Sequence, residues 1–582
     1  MPPEWVGRLT IGTVVRVALH GRRVRGWVAE TDVEPEAPPE RLRALAKVSS
    51  AGPPAEIVDL TAWAAWRWAG PRASLLRTAS PPNVVPPGPP GPPGAHHARG
   101  FTPSEDREVE EAARRALARE WAVIQWPPSA RMADLLRRLV SQGGSTIVLV
   151  PDVERVRLLA RRLGQAGMAV VELHGDQPDT QRTRAWAQAR AGGCVVVGGR
   201  IAAWAPVPDL RAAVVVDDVD EAHKDERTPA WHGRDVAVER ARRAGVRVTV
   251  VSPVPSLDAL AHVDGPVLPS ESKAREGWPV VTVVDRRDEP PGLGLFSERM
   301  VEATRRAVDL GRVVCVLNRR GRATMVACRT CGEVARCERC GARVPEEAAG
   351  LVCRVCGTVR PRVCAECGST DLRRVRQGVE RVAEEVAALL PRVQVADVEG
   401  GTGEVPDAGV LVGTESVLHR VDRAVLVVLL DFDAELLAPR FRAAEQALWL
   451  VVRSARLVGG RREGGAVMIQ TRMPDHEVVV AAQRGAPQTL VDTERRRRAD
   501  LGLPPFGAIA LATGSSEPVG VLAEELGERA GVSLLGPAQR GRSAELLIRA
   551  SGVEVLCDAL GGAAPIARRA GRLRVEVDPL RA

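Results

Sequence analysis

The sequence predicts an α/β protein of two tandem lobes, each built on a parallel, doubly wound sheet. A cysteine-rich insertion interrupts the second lobe, a β-rich domain precedes the lobes and a small α+β domain follows them. Three observations predict this. Short apolar runs alternate with amphipathic helical spacing in two separate series. A proline- and glycine-rich stretch divides the first series from the chain before it. Eight of the eleven cysteines fall between positions 328 and 367. A chain of 582 residues, 45% hydrophobic, is long enough for several cores of this kind.

Taken in order, residues 9–30 (LTIGTVVRVALHGRRVRGWVAE) alternate apolar and polar positions about His20-Gly21, the pattern of a β-hairpin in a domain over 1–80. Helical spacing follows from Ile57 to Leu76, and Trp63, Trp66 and Trp68 on it read as core. PPNVVPPGPPGPPG, at 81–94, can form neither helix nor ladder, so 81–104 is a stiff linker. The first lobe spans 105–290. Its strands lie at 146–151, 169–174, 194–199 and 212–218, continued at Val248 to Ser252 and Val280 to Val284. The second lobe spans 291–486, with strands at 313–318, 409–414, 424–433 and 465–471 and the insertion at 325–370. Residues 487–582 form the last domain.

Composition narrows the function. A net charge of +8 fits a polyanionic partner without identifying one. Lysine occurs only as Lys47, Lys224 and Lys273, and none stands in G-x-x-x-x-G-K-[ST], so the chain has no phosphate-cradling P-loop lysine. The apolar runs are shorter than a membrane span and Met1-Pro2-Pro3-Glu4 does not open a signal peptide; a cytoplasmic protein with no membrane partner is expected.

The clustered cysteines form four C-x-x-C knuckles: Cys328/Cys331, Cys337/Cys340, Cys353/Cys356 and Cys364/Cys367. Two knuckles supply the four thiolates of a tetrahedral zinc site, so two zinc ions per chain are expected. The outer knuckles (328, 331, 364, 367) can close around the inner pair (337, 340, 353, 356), as in a ribbon that leaves and returns. With all four positions filled, such sites are structural and contribute about 10–16 kcal/mol of apparent binding energy each. Iron–sulfur ligation is the alternative for this spacing. Disulfides do not suit a cytosolic chain with large α/β lobes.

Several stretches together resemble the PriA family of replication-restart helicases. They are VRVALHGRRVRGWV (15–28), AWHGRDVAVERA (230–241), LNRRGRATMVACRTCGEVARCERCGA (317–342), LLDFDAELLAPRFRAAEQ (429–446), ADLGLPPFGAIAL (499–511) and LRVEVDP (573–579). The resemblance makes the two lobes RecA-like helicase lobes and the first domain a binder of a DNA strand's 3' end. It also implies DNA contacts on the first hairpin, where Arg22, Arg23 and Arg25 can pair with phosphates and Trp27 can stack on a base. Partners implied are branched or forked DNA and primosome and replication proteins, including single-strand-binding protein. The family's winged-helix domain has no counterpart between the first domain and the first lobe, where the linker stands.

The family's ATPase motifs depart from their pattern here. IQWPPSARM (124–132) carries Pro127, Pro128 and Arg131 where glycines and lysine belong, and proline lacks the N–H that cradles phosphate. At the acidic box stands Asp217-Asp218-Val219-Asp220, with Asp217 able to hold magnesium and Val219 interrupting the next acidic pair. The letters Asp220-Glu221-Ala222-His223 fall past the strand end and read as coincidence. In RSARLVGG (453–460), Leu457 and Gly460 occupy the positions of the arginine fingers, with Arg456 and Arg461 each one place away. ATP and magnesium binding are therefore doubtful, and no catalytic or nucleotide-binding residue is assigned. The expectation is a replication-restart protein that binds stalled forks and promotes primosome assembly and helicase reloading without helicase activity. The alternatives are an active 3'-to-5' helicase and a zinc-ribbon DNA-binding protein of repair or transcription.

Overall fold

The computed structural model describes residues 9–19, 21–34, 38–42, 44–88, 104, 106–141, 143–289, 294–317, 325–331, 333, 335–339, 344, 346–347, 350–353, 358–375, 379–398, 404–541 and 543–580. Most of the proline-rich linker, 89–103, lies outside them. The chain divides into two compact units, one of residues 1–274, 491–538 and 544–582, the other of 275–490 with 539–543. Among the described residues no helix is long and apolar enough to cross a membrane.

The first unit opens with β1 (Val14–Leu19), β2 (Arg22–Trp27) and β3 (Leu45–Ser50), an antiparallel sheet in the order β2-β1-β3. Gly21 turns the hairpin at φ 75°. The single helical stretch expected over 57–76 is two helices, α1 (Ala55–Arg67) and α2 (Arg72–Ala79). The break falls where Ala69 takes φ 44° and Pro71 stands at the N-cap of α2; between them, a Cβ on Gly70 would stand 2.4 Å from Pro229.

The first lobe runs α3 (Arg107–Leu117), β4 (Trp121–Gln125), α4 (Met132–Val140), β5 (Ser145–Leu149), α5 (Val153–Gln165), β6 (Val170–Leu173), α6 (Asp179–Ala191), β7 (Val195–Gly198), β8 (Leu210–Val216), α7 (Gly233–Ala244), β9 (Arg247–Ser252), α8 (Leu257–Leu260) and α9 (Glu271–Glu276). Its six strands are parallel, in the order β4-β9-β8-β5-β7-β6. The central strands are buried on both faces, which is why they read as unbroken apolar runs. Trp204 and Trp231, both fully buried, meet edge to face with centroids 5.5 Å apart, a contact that contributes about 1 kcal/mol beyond the area it buries.

The second unit holds β10 (Val280–Asp285), α10 (Glu298–Val308), β11 (Val313–Val316), the insertion strands β12 (Met325–Cys328), β13 (Glu346–Glu347), β14 (Gly350–Val352), β15 (Val359–Arg360) and β16 (Leu372–Val375), then α11 (Val379–Leu389), β17 (Val395–Val398), β18 (Val410–Gly413), β19 (Leu426–Leu429), α12 (Asp433–Leu436), α13 (Ala443–Val458), β20 (Ala466–Thr471) and α14 (Glu477–Arg484). Its main sheet is also six parallel strands, ordered β10-β20-β19-β11-β18-β17. β10, which the periodicity attaches to the first lobe, instead pairs with β20 from Val280↔Ala466 to Asp285↔Thr471. An apolar run shows that a strand exists but not which sheet it joins. The insertion closes past its expected end, because β16 returns to pair with β12, Cys328 opposite Leu372.

After α15 (Gln488–Leu501), the last domain contains β21 (Ala508–Gly514), α16 (Ser516–Gly527), β22 (Val532–Arg540), β23 (Ser543–Ala550), α17 (Val553–Ala570) and β24 (Leu573–Val577), with the sheet ordered β22-β23-β21-β24. Within the first unit this domain packs on α1. Trp66 Nε1 donates to Asp558 at 2.7 Å, and Arg67, 8% exposed, pairs with Asp578 at 2.5 Å and lies 3.8 Å from Asp235. Of the three clustered tryptophans, Trp68 is fully buried while Trp63 and Trp66 are half-buried.

Candidate functional site

Four thiols converge in the insertion. Cys328, Cys331, Cys364 and Cys367 have sulfur atoms all within 4.8 Å of one another. Cys328 Sγ is 3.4 Å from Cys367 Sγ, and Cys331 Sγ is 3.6 Å from Cys364 Sγ. The edge of a tetrahedron with zinc–sulfur bonds of ~2.3 Å is about 3.8 Å, so the four fit one zinc ion, and the outer knuckles close together as the spacing predicts. Each knuckle turns on a backbone bond from its first cysteine to the residue five places on: Cys328 N–H to Glu333 at 2.9 Å, and Cys364 N–H to Ser369 at 2.9 Å. Gly368, at φ 72°, supplies the left-handed step that the second turn needs. The Cys331 N–H, and behind it the neighbouring Cys367 thiol, draw the Cys328 thiol down to about 6, ready to bind as thiolate.

The inner knuckles are described in part. Cys337 and Cys353 are buried in the same small core as Cys328 and Cys364, while Cys340, Cys356, Gly332, Gly341 and Gly357 lie outside the described residues. Cys353 N–H donates to Thr358 at 2.8 Å, the same five-residue bond as in the outer knuckles. No disulfide joins any two of the nine described cysteines.

On the first sheet, alternation divides the expected DNA contacts. Arg23, Arg25 and Trp27 share one face of β2, and Arg22 points to the other. Trp27 donates from Nε1 to Ser80 Oγ at 2.8 Å, which ties the half-buried ring to the end of α2.

At the end of β8, Asp217 adopts φ 56°, is fully buried, and forms an ion pair with Arg155 Nη1 from α5. Asp218, also buried, accepts from Ser256 Oγ and lies 3.5 Å from Arg234 Nη1. Burial pushes its carboxyl up, against the pull of Arg234 and Ser256. The letters Asp220 to His223 form a capped turn. Asp220 accepts from Ala222 N–H at 2.9 Å over a 3-10 turn at Glu221–His223. His223 donates from Nε2 to Val216 O at 2.8 Å, and the next residue, Lys224, donates to Val577 O at 2.7 Å on β24. Lys224, directly after these letters, fastens the turn to the last domain.

The loop between β4 and α4 is filled by its own side chains: Trp126 is fully buried, and Pro127 and Pro128 are buried beside it. Trp126 N–H donates to Ser252 O at the end of β9, at 3.1 Å, and Ala130 N–H to Pro127 O within the loop, at 3.2 Å, so both donors are used within the fold. In the second unit, Arg453 on α13 pairs with Glu415 and contacts His419 at 2.7 Å, and Arg456 stacks 5.1 Å from the Trp449 ring. Arg461 lies in a 3-10 turn after Gly459-Gly460.

Residues 1–81 match the family described as the 3'DNA-binding domain (3'BD) of PriA. The probable replication restart protein PriA of Mycobacterium tuberculosis (strain ATCC 25618 / H37Rv) is 30% identical over 590 residues, covering 92% of this chain and 88% of that protein. The chain belongs to the PriA family of replication restart proteins. The replication restart protein PriA of Bacillus subtilis (strain 168) is 29% identical over 413 residues, covering 66% of this chain and 51% of that protein, so the chain spans about half the length of this relative. Among solved structures, a DEAD box protein from Methanococcus jannaschii aligns over 65% of this chain and 90% of its own, at 11% identity and a TM-score of 0.31.

Within the PriA family frame, the first domain is a DNA-binding 3'BD and the insertion carries a four-cysteine metal site. Arg155, Arg234 and Ser256 are neighbours of Asp217 and Asp218 that sequence reasoning missed. Each is remote in sequence from the acid it holds, and only the adjacency of β5, β8 and β9 brings them together.

Proposed function

We propose that this chain binds branched DNA at stalled replication forks and promotes primosome assembly and reloading of the replicative helicase, without itself hydrolysing ATP. The 3'BD supplies one DNA contact. The zinc ribbon, holding two zinc ions through its outer and inner knuckles, serves as a docking element for DNA or for primosome partners, single-strand-binding protein among them. The two RecA-like lobes act as a scaffold.

The observation that carries the nonmotor reading is the Arg155–Asp217 ion pair. A guanidinium already neutralises the carboxylate that would hold magnesium, and it cannot lose its proton to make way for the metal. The prolines at 127 and 128 support the same reading, since neither offers an N–H to a phosphate. The test is DNA-stimulated ATP hydrolysis measured beside binding to a synthetic three-way fork, on one preparation of the full chain with its zinc content verified. Tight fork binding without hydrolysis is expected. Hydrolysis that disappears in an Asp217→Asn, Asp218→Asn variant would establish a working motor and overturn the nonmotor reading.

A further inference from the structure

The N-terminal sheet carries a row of cations that its own fold does not require. Arg25 on β2 stands directly opposite Arg16 on β1, and Arg16 stands directly opposite Lys47 on β3. Directly opposed residues point to the same face with Cβ atoms about 5 Å apart, a placement that is unfavourable for like charges. A fourth cation, Arg77 on α2, lies close enough that its charge, after burial and that of Arg16, lowers the Arg25 pKa. Among the described residues none of the four has an acidic partner. Their face also carries Arg23 and, at the other end of β2, Trp27, anchored by Ser80.

Several arginines elsewhere in the chain are paired with acids. Arg67, Arg155, Arg234, Arg240 and Arg453 each hold a carboxylate within 4 Å. Three unneutralised cations in register, with Arg77 beside them, are a surface whose counter-charge comes from outside. The row crosses three strands, about 10 Å, which matches about three nucleotides of a stacked strand.

We propose that Arg25, Arg16 and Lys47, with Arg77 beside them, form a phosphate ladder that binds the backbone of single-stranded DNA running across the three strands on the face shared with Trp27. This rests on the reading of the chain as a DNA-binding protein and goes beyond it by naming the face, the direction of the strand and the chemical group recognised. The ladder reads backbone charge, so its contribution is independent of base sequence and of whether the strand ends in a 3'-hydroxyl or a 3'-phosphate.

The experiment measures binding of a short labelled oligothymidylate to the full chain across a potassium chloride series, for wild type, an Arg16→Gln, Arg25→Gln, Lys47→Gln variant and an Arg114→Gln control on α3. Each phosphate contact on a single strand contributes about 0.7 to the slope of log affinity against log salt, so the triple variant is expected to lose about 2 from that slope and to bind about tenfold or more weakly at low salt. Its thermal midpoint without DNA is expected to equal or exceed that of wild type, because opposed like charges have been removed. The control keeps the wild-type slope. A triple variant that retains the wild-type slope overturns the ladder while leaving the DNA-binding reading intact, whereas a wild-type chain that does not bind the strand overturns both. Should the triple variant not fold, the single Arg16→Gln variant decides: a slope lower by about 0.7 supports the ladder and an unchanged slope overturns it.

Discussion

The two lobes are the same sheet built twice and finished differently. Numbered by their place in the lobe, the strands of each are ordered 1-6-5-2-4-3, so β4, β5 and β8 of the first correspond to β10, β11 and β19 of the second. What differs lies beyond the strand ends. After its fifth strand the first lobe holds Asp217 and Asp218 with arginines from neighbouring helices, whereas the second holds Asp433 with Thr471 Oγ and the N–H of Arg472 at 2.9 Å. After its second strand the first lobe continues directly to α5, while the second admits a metal-binding insertion. The comparison teaches that the parallel sheet is fixed by its buried strands, and the loops at their ends are free to take up different chemistry.

The largest expected effect separates the lobes by metal. A Cys328→Ser, Cys364→Ser variant should lose the zinc held by the outer knuckles, and with it a binding energy of about 10–16 kcal/mol that orders the insertion. Zinc content should fall by one ion per chain, and limited proteolysis should cut first within 325–375, leaving the first lobe intact. Cleavage in the first lobe at the same rate would show that the insertion is not an independent element.

A smaller effect is expected at the acids. Replacing Arg155 with Met leaves the Asp217 carboxylate buried without its guanidinium and should destabilise the first unit by about 2–3 kcal/mol, since the arginine is itself partly exposed. Thr471→Val, which removes one hydroxyl from Asp433 in the second lobe, should cost about 1 kcal/mol. Chemical unfolding of each variant checks the order, and equal losses would mean that the two acids are held in equivalent ways.

The smallest effect concerns pH. Burial lowers the pKa of His223, so the folded chain binds its proton less readily than the unfolded chain does. Stability contributed by the neutral ring is therefore present above the unfolded value of about 6.5 and is lost as pH falls below it, by at most about 1.4 kcal/mol per pH unit. The second lobe has no matching histidine in the turn at Asp431–Asp433. Thermal midpoints of wild type and His223→Gln between pH 7.5 and 5.5 should converge as pH falls, and parallel curves would remove His223 from the account.

Much of this was legible in the sequence, for a physical reason in each case. Strands buried on both faces leave continuous apolar runs, so both α/β series could be read directly. Metal ligands come in knuckles of fixed spacing, so Cys328, Cys331, Cys364 and Cys367 could be named and paired before the fold was known. Reading β10 into the first lobe failed because a strand's sequence does not encode its neighbour. Alternation along β2 sets Arg22 on the face opposite Arg23 and Arg25, a division that appears only once the strand is paired.

By itself, then, the sequence determined where most of the strands and helices fall, which thiols can share a metal, and that no lysine stands in a P-loop motif. All of these depend on residues close together in the chain. The tertiary structure alone decided that β10 completes the second sheet, that Arg155 reaches Asp217, that Lys224 fastens the DEAH-like turn to β24, and that Arg16, Arg25 and Lys47 stand in one row. Those contacts join residues far apart in sequence, and they are set by strand order and register, which no local pattern carries.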